Sequence, residues 1–564
     1  MKQTISIYCR NLGRYVDAEG GLSLASLFSV LASEFPALKS ISPVCALVNN
    51  KVEDLSFPLY GPKQVEFLSA ESPEGRKVYI RSLCMMLCKA ASSLPEPLGV
   101  RIEHSISNGH YCRLLDASGN PVEANPETIK LLRDAIIRLH KADLPFEPRD
   151  LLTSDAIETF RAQGLLDKVN LLETLRRLYT RIYILDGYAD SYYGPLAPST
   201  ASIGVFDLRP YKEGMILLPP DPANPDVAAR PVRQSRMFDA FLEQGRFNRV
   251  VRVADIGSLN RAVEEGRSAE LINVAEAMHN KLLGRIADEI LRRRHEGGAG
   301  VVLMAGPSSS GKTTSGKRLA IQLMTNLMTP RMISLDDYFV DRENTPRDES
   351  GDYDYESLHA LDLERFNSDL RALLAGEEIN LPTYSFELGR RIERHRPLRL
   401  GPDDVLLIEG IHGLNPELVA SVDPSRIFKV YVSALTTLRI DNHNWISTSD
   451  TRLLRRIVRD YKYRHTLPLE TIRRWPSVRR GEEKWIFPFQ EFADATFNSS
   501  LLFEIAVMKQ FAAPLLADVP HSEPEYAVAY RLARFLDYFR AIPETQIPST
   551  SLLREFLGGS SFRY

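Results

Sequence analysis

The densest chemistry in the chain is GPSSSGKT, Gly306 to Thr313, which fits G-x-x-x-x-G-K-[ST]. Gly306 and Gly311 let the backbone turn tightly, so the N–H groups of Ser308, Ser309, Ser310 and Thr314 can aim at a phosphate at a helix start. Lys312 would set a point charge on the β- and γ-phosphates, and the Thr313 hydroxyl would ligate Mg2+. Chance produces such a pattern in roughly one chain of this length in fifty. The plain alternative is a Gly/Ser loop with an incidental lysine. Its setting argues otherwise: the strand-like VVLMA precedes it, and a helix with Leu319, Leu323 and Leu327 on one face follows. Two acidic strand ends come next. MISLDDYF closes on Asp336-Asp337 and DVLLIEG on Glu409. Open α/β sheets do their chemistry at the carboxyl ends of strands. Phosphoryl transfer to a hydroxyl needs a carboxylate to take the hydroxyl proton and an acid near the metal; Asp336 suits the first role and Glu409 the second, with turn or cap acids as the alternative. TRLLRRIVRDYKYRH then carries Arg452, Arg455, Arg456 and Arg459 at i,i+3 and i,i+4 spacing, followed by Arg464. Beside a phosphate loop this basic face reads as a lid that closes over developing charge, with Arg459 its leading member; away from one, it would be a solvated face. A second basic stretch, residues 389–399, is either a solvated hairpin or a substrate edge.

These groups need a frame. The chain has 564 residues, 44% apolar and 25% charged, enough to bury several cores. Lys+Arg 70 against Asp+Glu 73 leaves net −3, so no global basic field favours DNA or a membrane surface. No apolar run approaches a spanning helix, and the N-terminus lacks the apolar segment of a signal peptide. The five cysteines all precede residue 113 and fit a reducing cytoplasm better than a disulfide framework. Residues 1–70 read as a small α+β unit, with ALVNNKVEDLSFPL as two short strands turning at Asn49-Asn50. Residues 75–225 form a second unit: a helix near Tyr79–Ala91, the strand-like VRIEHSISNGHYCRLL, and a helix-rich run to about Tyr183. A proline-rich linker, 219–231, closes it. Residues 226–297 are a helical linker whose Val274, Met278, Leu282, Ile286 and Ile290 form a stripe at i,i+4 steps. Residues 298–515 alternate apolar strands with helices, the pattern of a parallel α/β sheet, and 516–564 form a helical extension that caps the sheet or makes a subunit contact.

An ordered set of motifs (the loop, SLDDYF, YDYESLHALD, LPTYSF, VLLIEGIHGL and RLLRRIVRD) resembles the uridine–cytidine kinase and phosphoribulokinase family of P-loop kinases over about residues 298–510. That resemblance implies a P-loop kinase fold with a doubly wound parallel sheet, and ATP with Mg2+ as cofactors. It implies Asp336 as base for a nucleoside 5′-hydroxyl, Glu356 on the ribose hydroxyls where Asp is usual, Tyr384 and Phe386 on the base, Arg391 as the family arginine beyond them, and Arg455, Arg459 and Arg464 as lid arginines. The sequence departs from the family where Ser357-Leu358 replace His-Pro and where Gly389 stands near the histidine that reads a pyrimidine edge. A lost hydrogen-bonding group changes base discrimination by orders of magnitude, so the base is not fixed. NHNWISTSD before the basic helix reads as an insertion in a substrate loop.

The first half resembles the start of threonyl-tRNA synthetases: an α+β ubiquitin-like TGS domain and then an α+β editing-type domain. The family's two metal- and base-forming pairs fall here at Arg81 and Met85 and at Tyr192 and Leu196, none of which can serve, which implies a retained fold without its hydrolytic site. Cys84, Cys88 and Cys112 could ligate a metal but are more simply core residues. The expected function is transfer of the ATP γ-phosphoryl group to a nucleoside. Two other readings stay open: an RNA- or ribosome-associated nucleotide switch, motivated by the TGS-like unit and weakened by the net charge, and a kinase of a non-nucleoside sugar. RNA contact by the first half and homo-oligomerisation are carried as secondary expectations.

Overall fold

The computed structural model describes residues 3–348, 351–392, 394–420 and 422–563, so Glu393 in the second basic stretch and Tyr564 at the end of the tail lie outside it. Strands β1 (Thr4–Cys9), β2 (Arg14–Glu19), β3 (Pro43–Val48), β4 (Lys51–Glu53) and β5 (Lys63–Ser69) form one mixed sheet in the order β2-β1-β5-β3-β4, with α1 (Leu24–Glu34) packed on it. The β3–β4 turn falls at Asn49 and Asn50, both at positive φ, which asparagine tolerates better than most residues.

The second unit starts with α2 (Pro73–Ser92), capped by Ser72 and buried along most of its length. It packs on β6 (Gly99–Ile106), β7 (Gly109–Leu115) and their partners, and on α3 (Pro126–Ala142). The run to Tyr183 is less helical than its sequence suggests: β8 (Glu147–Leu152), β9 (Tyr179–Leu185) and β10 (Tyr188–Asp190) form a separate antiparallel sheet beside α4 (Leu166–Thr174).

Three helices follow, the last being α5 (Ser268–His295). The stripe expected on it is only half right. Ile286 and Ile290 are buried, but Val274 is 39% exposed and the inward face near it is Leu271, Ala275 and His279. Strict steps of four advance 400° on a helix of 3.6 residues per turn, so such a stripe drifts off its face over a long helix.

The unit from residue 301 onward is an all-parallel sheet of β11 (Val301–Ala305), β12 (Thr329–Ser334), β13 (Asp404–Glu409), β14 (Ile427–Ser433) and β15 (Ala495–Asn498), ordered β12-β13-β11-β14-β15. The strand before the phosphate loop is central and wholly buried. β13 flanks it, while β12 is one strand further out. Register still brings Ser334 opposite Glu409, so both acidic ends open on the same edge. After the loop comes α6 (Lys312–Thr325), where Leu319 and Leu323 are buried; Leu327 lies past the helix end, at positive φ and 91% exposed, and is not part of that face. The basic helix is α7 (Thr448–Arg464), followed by α8 (Pro468–Trp485), α9 (Glu504–Ala517) and α10 (Tyr526–Leu536).

NHNWISTSD does not sit in a substrate loop. It docks into the N-terminal half: His443 Nδ1 meets Asp190 at 2.8 Å, the Asn442 N–H donates to Asp167, the Asn442 carbonyl accepts from Ile102 N–H, and Trp445 lies 4.2 Å from the His110 ring. Lys168 bridges the two halves through Asp190 at 2.8 Å and Asp441 at 3.0 Å, all three side chains buried. Buried charges of this kind are tolerable only when paired, so the two halves are held in one arrangement. Among the described residues no helix is long and apolar enough to cross a membrane, and the five cysteines are buried and unpaired.

Candidate active site

The loop after β11 is shaped by close approach. A Cβ on Gly306 would lie 1.9 Å from the Val432 carbonyl oxygen, so only glycine fits there. Ser309 and Gly311 adopt positive φ, which bends the chain tightly just before α6 begins at Lys312, with the Ser310 N–H closing on the Pro307 carbonyl. Lys312 Nζ rests on the Pro307 carbonyl at 3.1 Å, within the loop it would serve.

Beside the loop, the Thr313 hydroxyl donates to Glu409 at 3.3 Å and the Ser334 hydroxyl donates to the same oxygen at 3.1 Å. Burial, then the charge of Asp336, pushes the Glu409 carboxyl up to about 7. A hydroxyl and a carboxylate are hard oxygen donors, and the carboxylate is short of positive charge; that donor set fits Mg2+.

Asp336 projects from the turn after β12. Its backbone N–H is held by the Ser334 hydroxyl, and its carboxylate takes no hydrogen bond or ion pair among the described residues. The side chain reaches solvent, yet it stands in a walled cleft, where desolvation raises its pKa and the charges of Lys312, Arg464 and Arg459 pull the other way. Its neighbour Asp337 is different, being tied to Arg396 at 2.9 Å. Only one of the paired aspartates is therefore free to meet a substrate. Glu356 is pressed against Gly481 of α8, its Oε2 buried with no partner; burial and then Glu482 push it up to about 7. Tyr384 and Phe386 meet edge to face at 5.1 Å, and Phe339 joins them at 5.7 and 5.9 Å. Phe386 is half exposed and lies 6.0 Å from the Arg464 guanidinium.

The basic helix divides its arginines by depth. Arg456, Arg459 and Arg464 share one carboxylate, Asp460, at 3.3, 2.8 and 3.6 Å. Three cations on one anion leave positive charge in surplus beside Asp336, and the nearby Arg459 charge, helped by burial, brings Arg464 down to about 10. Arg455, expected on the phosphates, lies behind the loop instead. It is wholly buried, pairs with Glu504 at 2.6 Å and donates to the Ser499 and Ser309 carbonyls. Arg452 likewise pairs with Glu482 and donates to the Ser308 carbonyl. These two brace the cradle from outside; a guanidinium committed to a buried carboxylate is not a mobile lid. Arg391 is also committed, to Asp362 at 2.9 Å and to the Phe339 carbonyl, so it fixes the aromatic wall rather than facing the cleft.

Several groups here escaped sequence reasoning. Asp460 sat in the quoted basic motif without a role. Glu482 accepts the Ser308 N–H at 3.0 Å. Glu555, 241 residues past the loop, accepts the Thr314 N–H at 3.2 Å and its hydroxyl at 2.6 Å. Leu552 packs against Gly311. The tail thus caps the phosphate loop, which no local pattern near residue 555 announces. His412 is buried and pushed down to about 4 by desolvation, so it is neutral near pH 7.

Residues 301–502 match the Phosphoribulokinase / Uridine kinase family. Among curated relatives, a uridine kinase of Halobacterium salinarum is 29% identical over 34% of this chain and 76% of its own length, and one of Brevibacillus brevis is 29% identical over 34% and 80%. The N-terminal part is similar to a threonine–tRNA ligase of Geobacter sp. strain M21, 29% identical over 33% of this chain. The chain spans only 28% of that ligase's length. The two likenesses together support a P-loop kinase fold preceded by synthetase-like units.

Proposed function

We propose that the protein transfers the γ-phosphoryl group of ATP to the 5′-hydroxyl of a nucleoside. The observation that carries this reading is the unpaired Asp336 carboxylate beside Lys312, Arg459 and Arg464 at the mouth of the phosphate loop. The loop amides and Lys312 hold the triphosphate. Thr313 and Glu409 would hold Mg2+, which supplies charge neutralisation on the β- and γ-phosphates when bound. Asp336 orients the substrate hydroxyl and accepts its proton as the oxygen bonds to the γ-phosphorus and the bond to the β-phosphate oxygen breaks, giving the nucleoside monophosphate and ADP. Arg459 and Arg464 face the charge that builds on the migrating group. Glu356 offers an acceptor to the ribose hydroxyls.

The cluster of Phe339, Tyr384 and Phe386, with one ring half exposed, favours a flat base over a bare sugar. A panel of nucleosides and sugars incubated with ATP and Mg2+, scored for ADP release beside Lys312→Ala and Asp336→Asn, tests this. Turnover of a nucleoside that both variants abolish is the expected result. Turnover of sugars alone would move the reading to a sugar kinase, and ADP release unchanged in Asp336→Asn would remove the assigned base.

A further inference from the structure

A second concavity lies far from this chemistry in the fold. It is a cavity of about 350 Å³ where the tip of the first unit, the second unit, residues 440–444 and α10 meet, and none of the cleft residues named above lines it. Its basic residues fall into two groups. Lys168, Arg181 and Arg531 are all neutralised, by Asp190 and Asp441, by Asp54 and Asp150, and by Asp450. Arg81, Arg177 and Arg534 have no carboxylate within ion-pair distance among the described residues. Arg81 is 5% exposed, and its guanidinium donates only to the Pro195 carbonyl, at 3.1 and 3.0 Å. Arg177 stacks on Tyr538 at 4.4 Å, its Nη2 buried with no hydrogen-bond partner among the described residues. Arg534 is exposed on the same wall.

A buried cation is ordinarily paired, because desolvation costs more than isolated hydrogen bonds return. Of the three guanidiniums only Arg81 is buried, and Glu74 on the same cavity acts on it but is paired with Lys77, so the three together leave a positive surplus that suits an anion. The remaining wall is aromatic, including Tyr183, Tyr192 and Tyr193, and suits a planar ring. Glu53, without an ion pair, offers an acceptor for hydroxyl or amino donors. The volume is at the small end of ligand pockets, near the size of one mononucleotide and too small for a polymer.

We propose that this cavity binds a nucleoside monophosphate, its phosphate on Arg81, Arg177 and Arg534 and its base against the tyrosines. Arg81 and Tyr192, which the resemblance to the synthetases puts at two of that family's paired positions, both line it. It does not depend on the kinase reading: the cleft would itself hold a nucleoside or its monophosphate, so binding counts for this cavity only where Arg534→Ala weakens it.

The full-length Lys312→Ala chain, which weakens phosphate binding at the kinase loop, is titrated calorimetrically with AMP, GMP, CMP and UMP, and then with uridine and with ribose 5-phosphate. At least one nucleotide should bind at one site per chain. Arg534→Ala and Arg81→Gln, each made in that background, should weaken it about tenfold or more, as expected for loss of a charged hydrogen bond. Uridine, lacking the anion, and ribose 5-phosphate, lacking the ring, should each bind at least about tenfold more weakly. Arg534 is exposed and unpaired, so its removal spares the fold and keeps the test valid if Arg81→Gln fails to fold. Absence of binding by all four nucleotides overturns the proposal. So does nucleotide binding that Arg534→Ala leaves unchanged, which would place the ligand elsewhere, or ribose 5-phosphate binding as tightly as any nucleotide, which would reduce the site to a bare anion holder.

Discussion

The kinase cleft and the junction cavity are unfinished in opposite senses. In the cleft, Glu356 and Glu409 both stand in the field of Asp336, all three raised by burial, while three arginines compete for Asp460. In the cavity, most of the acids are spent on Lys168, Arg181, Arg531 and Lys77, Glu53 stands without an ion pair, and the larger surplus is three arginines. Charge of both signs left over fits a ligand that brings a metal cation and a polyanion together. A surplus mainly of positive charge fits a simple anion. Groups without a partner, more than groups of a given type, mark where something else must bind.

The largest break in this contrast should come from Asp336. Asp336→Asn keeps the shape and removes the unpaired proton acceptor beside Lys312, Arg459 and Arg464. Turnover should fall by about 10²–10⁴ while ATP still binds. Retained turnover with a retained fold would show that the open charge in the cleft is not used for proton transfer.

Next in size is a comparison inside α7. Arg455 and Arg464 are nine residues apart in one motif, but one is buried on Glu504 and the other half exposed over the cleft. Arg455→Met leaves Glu504 without its cation, so it should lower unfolding stability by about 3–5 kcal/mol. Arg464→Met should leave stability within about 0.5 kcal/mol, as for an exposed site, yet cut kcat by about 10²–10³ through lost charge on the migrating group. Denaturant melts and initial rates on the two variants separate the roles. Equal effects of both on stability would dissolve the distinction between brace and lid.

That distinction also marks where the sequence stops being legible. The loop, the parallel sheet and the acidic strand ends could be read because glycines, β-branched runs and turn acids act locally. Arg455 and Arg464 look alike in the motif, and only Glu504, Ser499 and the loop carbonyls, supplied from elsewhere, decide which one is buried. Val274 and Leu327 were misplaced for a nearer reason: helix drift and a helix end each move a residue off a face that spacing alone draws. The docking of NHNWISTSD onto Asp190 and Asp167 depends on a partner more than 250 residues away, and nothing in that polar stretch distinguishes an interface from a loop.

A third effect follows from Glu356. Its folded pKa, about 7, lies above the ordinary carboxylate value, so the folded state holds the proton more tightly than the unfolded chain. The stability this gives is fully present at pH below the unfolded value and is lost as pH rises from about 4.5 towards 7. Glu356→Gln cannot ionise and should melt higher than the parent at pH 8, by about 1–3 kcal/mol, with the gap closing near pH 5. Thermal melts across that range check it. A gap that is constant with pH would mean that the buried Oε2 is compensated in a way its missing partner does not suggest.

The smallest expected effect concerns the tail. Glu555 accepts both the N–H and the hydroxyl of Thr314, two donors that a phosphate of the nucleotide would take at the start of α6. The carboxylate therefore occupies, from inside the chain, the position that an incoming anion needs. Glu555→Gln keeps the side-chain length and removes the charge. An amide oxygen is a weaker acceptor than a carboxylate, and the like-charge repulsion against the triphosphate disappears. ATP should bind about 2- to 10-fold tighter, since one charged hydrogen bond is exchanged for a neutral one. The same change should cost the fold about 1 kcal/mol or less, because Leu552 and the surrounding core still seat the tail against Gly311. ATP affinity measured with a non-hydrolysable analogue, beside a thermal melt of the same sample, reads both. Weaker ATP binding in Glu555→Gln would assign the carboxylate to the cradle as a working part, and the contrast between a cleft that awaits its ligand and a tail that stands in for it would fail.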